Sequence, residues 1–154
     1  MYTKVLVPLD GSELAACTLE HVKKVASADG VSEVILIRVV EPVTSNEATA
    51  WSQGGYTVKD VENRNMESAK NYLSLAAETL RNQGISARTE VIYGIPAESI
   101  LGYAERNKVD LIIISTHGRS GISRWAFGSV ANKIAHHSQI PVLLITPRDC
   151  RSGK

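Results

Sequence analysis

A segment rich in glycine and serine, Ser115 to Ser129, has residue types that bind anions. Its sequence, S-T-H-G-R-S-G-I-S-R-W-A-F-G-S, lies between an apolar run and a helix-like run. Glycines let backbone N–H groups approach an anion closely. A helix that begins at Gly128-Ser129 adds unsatisfied N–H groups and a partial positive charge. With the Ser129 hydroxyl and two arginines, Arg119 and Arg124, the segment is suited to binding phosphate groups.

A second candidate segment is P-L-D-G-S, residues 8–12, which follows the first apolar run. Its carboxylate, Asp10, either binds a ligand or only caps the turn or helix that follows. Neither segment is a P-loop, because G-x-x-x-x-G-K-[ST] is absent, and no G-x-G-x-x-G follows the first apolar run. Many glycine-rich connections between a strand and a helix bind nothing, so composition alone does not decide the matter.

The elements that would position these segments alternate along the chain. Apolar runs typical of buried parallel strands predict strands at 4–9, 33–40, 86–93, 110–115 and 141–146. Helical spacing of apolar residues predicts helices at 12–28, with Ser12 as N-cap, and at 60–82, 97–106 and 129–137. Segment 41–59, which contains Trp51, is predicted to be a long loop, either a lid or partner surface or a plain insertion. This alternation predicts an α/β fold, an open five-stranded parallel sheet with helices on both faces.

Composition and charge favour one soluble domain. The chain has 154 residues, of which 44% are hydrophobic and 21% charged, with a net charge of +1. That charge offers no basic surface to nucleic acid, and no apolar run reaches the roughly 18 residues of a membrane span. The start of the chain has no signal-peptide pattern. We expect one domain over 1–147, a polar tail over 148–154, a cytoplasmic location, and neither nucleic acid nor membrane as a partner.

Both candidate segments follow strands of the predicted sheet. Open α/β sheets bind ligands outside the carboxyl ends of their strands, where the strand order reverses. The segment after the first strand and the segment after the fourth are therefore expected to meet at one edge. The sequence predicts a phosphate-bearing ligand at that edge.

The residues of both segments resemble one protein family. Gly118, separated by nine residues from Gly128-Ser129, resembles the nucleotide loop G-x2-G-x9-G-[ST] of the ATP-binding branch of the universal stress protein family. The start K-V-L-V-P-L-D-G-S, the middle V-I-Y-G-I-P-A-E-S-I and the end P-V-L-L-I are also similar to that family, so the resemblance covers nearly the whole chain. One position departs from the pattern: Ser115 occupies the place of the first glycine. Serine is still small and able to donate a hydrogen bond.

The resemblance implies a fold, a ligand and a set of site residues. The implied fold is Rossmann-like, of the adenine nucleotide alpha hydrolase-like type, with strand order 3-2-1-4-5. The implied ligand is ATP, or ADP or AMP, with Mg²⁺ or Mn²⁺ as an accompanying ion at Asp10. The implied binding residues are Pro8, Leu9, Asp10, Val39, Ser115, His117, Gly118, Arg119, Gly128, Ser129 and Val130.

Each implied residue has an expected role. Pro8, Leu9 and Val39 are expected at the adenine, Val39 partly through its backbone, and Asp10 at the adenine, ribose or metal. Ser115 and the glycine-rich segment are expected at the ribose and phosphates. His117 is expected to hydrogen-bond in the wall of the site rather than to act as a base, and no catalytic residue is predicted.

The resemblance also implies a function: an adenine-nucleotide-binding sensor or regulator of the stress response, dimeric through the last strand, 141–146. Two alternatives remain. The first is a slow ATP hydrolase, although the sequence has no P-loop lysine and no clear water-positioning base. The second is a partner-binding signalling domain without nucleotide. Enzymatic activity therefore stays open and is weak ATPase activity at most.

Overall fold

Strands and helices alternate in a computed structural model, which describes residues 1–12, 14–116 and 128–146. In these ranges the elements are β1 (Lys4–Pro8), α1 (Leu14–Asp29), β2 (Glu33–Val40), α2 (Ser45–Gln53), α3 (Val58–Arg81), β3 (Ala87–Tyr93), α4 (Pro96–Arg106), β4 (Leu111–Ser115), α5 (Ser129–His137) and β5 (Val142–Ile145). Nine of these elements were predicted with boundaries within two residues, and α2 was not predicted. No helix in the described ranges combines the length and apolar character needed to span a membrane.

The five strands form one parallel sheet in the order β3-β2-β1-β4-β5. The predicted α/β fold and strand order are thereby confirmed. From β1 the chain builds outward on one side to β2 and β3, and then on the other side to β4 and β5. The strand order therefore reverses between β1 and β4, which is where ligands bind in sheets of this kind.

Apolar strand side chains are buried on both faces of the sheet, because successive side chains of a strand point to opposite faces. α1 and α3 cover one face, in a first cluster that includes Val5, Val7, Val22, Leu36, Leu73 and Leu80. α4 and α5 cover the other face, in a second cluster that includes Leu6, Ile35, Ile37, Ile100, Ile112 and Ile134. This double burial explains why the strands are nearly continuous apolar runs in the sequence.

Segment 41–59 contains helix α2, so the prediction of a long loop was wrong. Thr44 is the N-cap of α2: its hydroxyl accepts a hydrogen bond from the Glu47 N–H, and Glu47 Oε2 accepts one from the Thr44 N–H at 2.9 Å. Thr57 and Asp60 form the same reciprocal pair at the start of α3. No residue of α2 is buried, so the helix lacks the apolar stripe on which the prediction relied. The T-x-x-E capping box was the available signal.

Asp110, the residue before β4, ties the start of β1 to its neighbour strand. Its carboxylate accepts hydrogen bonds from the Thr3 N–H at 2.8 Å, the Thr3 hydroxyl at 2.7 Å and the Lys4 N–H at 3.0 Å. Burial acts to raise the pKa of this carboxyl, but the bonds from Thr3 and Lys4 outweigh it and lower the pKa of Asp110. The ionised carboxylate therefore stabilises the fold.

We expect Asp110→Asn to lower the free energy of unfolding by about 1–2 kcal/mol at pH 7. Because the folded pKa is lowered, the stabilisation by Asp110 is present above the ordinary pKa of about 3.9 and is lost as the pH falls through the folded value. The difference in unfolding free energy between the wild type and Asp110→Asn should therefore be smaller at acidic pH. Urea unfolding at pH 7 and at pH 3, with Glu105→Gln on the exposed side of α4 as control, would measure it. A difference in unfolding free energy that does not change with pH would contradict this account.

Candidate functional site

A cleft of about 790 Å³ opens at the carboxyl ends of β1, β2 and β4. Its volume falls within the range of small-molecule sites, about 300–1,000 Å³. The N-terminus of α5 and parts of α2, α3 and α4 complete its walls. The cleft thus lies at the reversal of strand order, where the sequence predicted a ligand.

Pro8 explains why the sheet opens at this point. The Leu9 N–H donates to the Ile37 carbonyl at 2.9 Å, so odd residues of β1 bond to β2 and even ones, including Pro8, face β4. Proline has no N–H to donate, and the pairing of β1 with β4 ends at Leu6↔Ile112. The pairing of β1 with β2, by contrast, continues to Pro8↔Ile37. β1 and β4 therefore separate beyond Leu6 and Ile112, and the cleft occupies the space between them.

The cleft has an apolar wall and a polar wall because the two faces of the sheet contribute to it. The apolar wall, on the side of α4 and α5, consists of Ile37, Val39, Pro96, Ile100, Ile114 and Ala131. The polar wall, on the side of α2 and α3, consists of Arg38, Thr44, Glu47, Asn65 and Ser68. A ligand that fits both walls has an apolar part and a hydrogen-bonding part.

Val39 presents its backbone to the cleft. Even-numbered residues of β2 form their backbone hydrogen bonds on the side of β3. The Val34 N–H donates to the Ser86 carbonyl, and the Val40 carbonyl accepts from the Gly94 N–H. Odd residues therefore face β1, which ends at Pro8, opposite Ile37. Two residues further along, the N–H and C=O of Val39 have no backbone hydrogen bond within the described residues. They form one donor and one acceptor, side by side, at the cleft.

The N-terminus of α5 points into the same cleft. Gly128, Ser129 and Val130 all line it. The Gly128 N–H donates to the Thr116 carbonyl, which ties the start of the helix to the end of β4. Gly128 is the N-cap and supplies no side-chain cap, so no side chain of that residue occupies the N–H groups of the first turn. Those groups and the helix dipole make this end of the cleft suitable for an anion.

Asp10 lies exposed at the rim of the cleft, on the turn between β1 and α1. Its Oδ1 accepts a hydrogen bond from the Ser12 N–H at 2.9 Å, which closes the turn. The Ser12 hydroxyl is buried and makes no hydrogen bond within the described residues, so the prediction that Ser12 caps α1 was wrong. Asp10 therefore closes the turn through its hydrogen bond from Ser12 and also faces the cleft.

The structure brings eight of the predicted site residues to this one cleft: Pro8, Leu9, Asp10, Val39, Ser115, Gly128, Ser129 and Val130. Three others, His117, Gly118 and Arg119, lie outside the described residues, as does Arg124. No group of three His, Cys, Asp or Glu residues in the described ranges is arranged to hold a metal ion.

Sequence reasoning missed the polar wall. Val61, Asn65 and Ser68 of α3 are spaced by four and three residues, so they share one helix face, and that face lines the cleft. This spacing was visible in the sequence. The direction of the face was not, because it depends on how α3 packs against β2 and β3.

The sheet order and a cleft at its switch point define a Rossmann-like α/β protein. Within that class, the chain belongs to the universal stress protein family, whose family model matches residues 1–146. The universal stress protein MJ0531 of Methanocaldococcus jannaschii is 30% identical over an alignment of 148 positions, which covers 94% of this chain and 82% of that protein. The universal stress protein MJ0577 of the same organism is 30% identical over an alignment of 155 positions, which covers 94% of this chain and 95% of that protein.

Solved structures agree with this assignment. The structure of MJ0577 superposes on this chain with a TM-score of 0.79 and 32% identity, and the match covers 95% of this chain and 96% of that one. The universal stress protein from Archaeoglobus fulgidus, solved in complex with dAMP, superposes with a TM-score of 0.66 and covers 94% and 98%. At 22% identity, the second likeness demonstrates a shared fold.

Proposed function

We propose that this protein binds an adenine nucleotide in the cleft, as ATP, ADP or AMP, and serves as a sensor or regulator of the stress response. One observation carries the proposal: the same cleft is lined by the N-terminus of α5 and by the backbone donor and acceptor of Val39, which have no backbone partner among the described residues. β2 and β4 are two strand spacings apart, about 10 Å. A nucleotide spans that distance from base to phosphate.

The adenine ring is proposed to lie against the apolar wall. Its exocyclic amine would donate to the Val39 carbonyl, and its N1 would accept from the Val39 N–H. The ring faces would pack against the aliphatic side chains of the wall, whose burial removes apolar surface from water. Pro8 and Leu9, which also line the cleft, would close the pocket from the β1 side.

The phosphates are proposed to lie at the start of α5. The N–H groups of Ser129 and Val130 and the Ser129 hydroxyl are the donors there, and charge-assisted bonds of this kind are about twice as strong as neutral ones. Ser115 is half-buried at the end of β4 and lines the cleft, so it replaces the family glycine without closing the site. His117, Gly118 and Arg119 would complete the phosphate end, as the resemblance implies. A relative with this fold was solved with dAMP, which supports an adenine nucleotide as ligand.

The residues present also fit a metal ion that arrives with the phosphates. Mg²⁺ is commonly held by one or two carboxylates together with substrate phosphates and water, and Asp10 places one exposed carboxylate at the cleft. Such an ion would neutralise charge between Asp10 and the phosphates. We propose Asp10 as the protein ligand of Mg²⁺ or Mn²⁺.

Trp51 offers a direct test of nucleotide binding, since it lines the cleft on α2. The chain has two tryptophans, so Trp125→Phe leaves Trp51 as the single reporter. We expect ATP to change its fluorescence with a saturable, one-site dependence. An unchanged signal at millimolar ATP, together with no heat of binding in calorimetry, would contradict the proposal.

We also propose that the protein is a homodimer through β5, as the resemblance implies. β5 is an edge strand of the sheet, and Leu143 at its centre is 37% exposed. An unpaired strand edge with an apolar side chain favours pairing with a second copy across a two-fold axis.

We expect the wild-type protein to sediment as a dimer and Leu143→Glu to shift it to monomer, because the new charges would face each other across the axis. Leu75→Glu is the matched control, since Leu75 on α3 is 68% exposed and distant in the chain from β5. Analytical ultracentrifugation over a range of concentrations measures the result. A monomeric wild type, or a Leu143→Glu dimer, would exclude this interface.

A further inference from the structure

The turn that carries Asp10 lies against the guanidinium of Arg38. A Cβ atom added to Gly11 would lie 3.1 Å from Nη1 and 3.4 Å from Cζ of Arg38. Gly11 also has a φ of +83°, a conformation that favours glycine. The guanidinium is therefore packed against the backbone of the residue that follows Asp10.

Tyr72 of α3 orients this guanidinium. Cζ of Arg38 lies 5.3 Å from the centroid of the Tyr72 ring, which is the geometry of a cation–π contact. Tyr72 is itself packed against the first core cluster. Burial raises the pKa of the Tyr72 hydroxyl, the charge of Asp10 raises it further, and Arg38 lowers it. Asp10 and Arg38 thus both lie within electrostatic reach of Tyr72.

Arg38 also lines the cleft, in the polar wall. The other charged side chains among the described lining residues are the carboxylates Asp10, Glu41 and Glu47. Arg38 is therefore the one cation in the described part of the lining. None of the nucleotide contacts proposed above uses it.

We propose that Arg38, stacked on Tyr72, is a positioning residue that holds the β1–α1 turn and so directs Asp10 into the nucleotide cleft. This inference rests on the proposed nucleotide function, because Arg38 acts on the ligand through Asp10. Without the guanidinium, the Gly11 backbone loses its packing partner and Asp10 loses a neighbouring cation. The carboxylate then spends less time in the orientation that meets the ligand.

A double-mutant cycle on nucleotide affinity tests this dependence. Calorimetric titration of Mg²⁺-ATP would be carried out on wild type, Arg38→Gln, Asp10→Asn and the double variant. We expect each single change to weaken binding about tenfold. The double variant should bind no more weakly than Asp10→Asn alone, because Arg38 has nothing left to position.

Conservative variants separate positioning from general stability. Arg38→Lys keeps the charge but loses the planar stack, so its affinity should lie between those of wild type and Arg38→Gln. Tyr72→Phe keeps the ring and should bind ATP more tightly than Tyr72→Leu. Arg64→Gln is the matched control: Arg64 lies 5.0 Å from the ring centroid of Tyr56, and neither residue lines the cleft.

Each outcome decides the question. Three results would overturn the positioning role: wild-type ATP affinity in Arg38→Gln, additive losses of affinity in the double variant, or a loss in Arg64→Gln equal to that in Arg38→Gln. None of them would contradict the nucleotide function. A wild type that binds no nucleotide would overturn both. If Arg38→Gln fails to fold, Arg38→Lys and Tyr72→Leu, each combined with Asp10→Asn, provide the same cycle.

Discussion

Gly128→Val is expected to weaken ATP binding at least a hundredfold. Gly128 lines the cleft directly before α5, and a branched side chain there would occupy the space beside the first N–H groups of the helix. Hydrogen bonds to a charged group contribute about 1.5–3 kcal/mol each, so the loss of two costs about 3–6 kcal/mol. That cost corresponds to a loss of affinity of about 100-fold or more.

Calorimetric titration of ATP into Gly128→Val, Gly128→Ala and Ser129→Ala measures the effect. Alanine is smaller and should weaken binding less than valine. Ser129→Ala removes one hydroxyl, and we expect a loss of about tenfold. Thermal unfolding of each variant checks that the fold survives, which we expect because Gly128 has a φ of −54° that any residue adopts. Full ATP affinity in Gly128→Val would place the phosphates elsewhere.

ATP is expected to bind at least about thirtyfold more tightly than GTP, the second large effect. The N–H and C=O of Val39, which make no backbone hydrogen bond in the described part of the chain, match an acceptor at N1 and a donor at the 6-position of adenine. Guanine has the opposite arrangement, with a donor at N1 and an acceptor at O6. Both backbone groups would then face a like group, and each buried, unsatisfied group costs about 1–3 kcal/mol. Two such mismatches cost about 2–6 kcal/mol, which corresponds to a factor of about 30 or more.

Competition of GTP and ITP against a fluorescent ATP analogue tests this selectivity. ITP has the same N1 donor and O6 acceptor as GTP but lacks the 2-amino group. If Val39 reads the base through its backbone, ITP and GTP should both compete poorly. If ITP competes as well as ATP while GTP does not, selectivity comes from a clash with the 2-amino group, and the role given to Val39 is wrong.

The fold could be predicted from the sequence because its signals are local. Each strand is an apolar run buried on both faces, and the helices α3, α4 and α5 have an apolar stripe. The eight cleft residues named in advance share one property: they lie at the carboxyl ends of β1, β2 or β4 or in the segments that follow, and these ends meet at the same edge. Strand order then fixes their proximity.

The remaining features depend on contacts between distant parts of the chain. Helix α2 buries none of its residues, so hydrophobic periodicity could not reveal it, and the polar wall that it shares with α3 went unpredicted with it. The role of Arg38 could not be predicted, because its partners Gly11 and Tyr72 lie 27 and 34 residues away in the sequence. Ser12 was assigned as a cap by residue type, but Asp10 two residues earlier closes the turn instead.

The most direct test of the central claim is an ATP titration of the ¹⁵N-labelled protein, followed by its amide NMR signals. We predict that the signals of Val39, Ser129 and Val130 shift together and saturate with a single dissociation constant. The signals of Thr3 and Glu33, at the amino end of the sheet, should stay in place. No shift at Val39 or in the first turn of α5 at millimolar ATP would contradict adenine-nucleotide binding in this cleft.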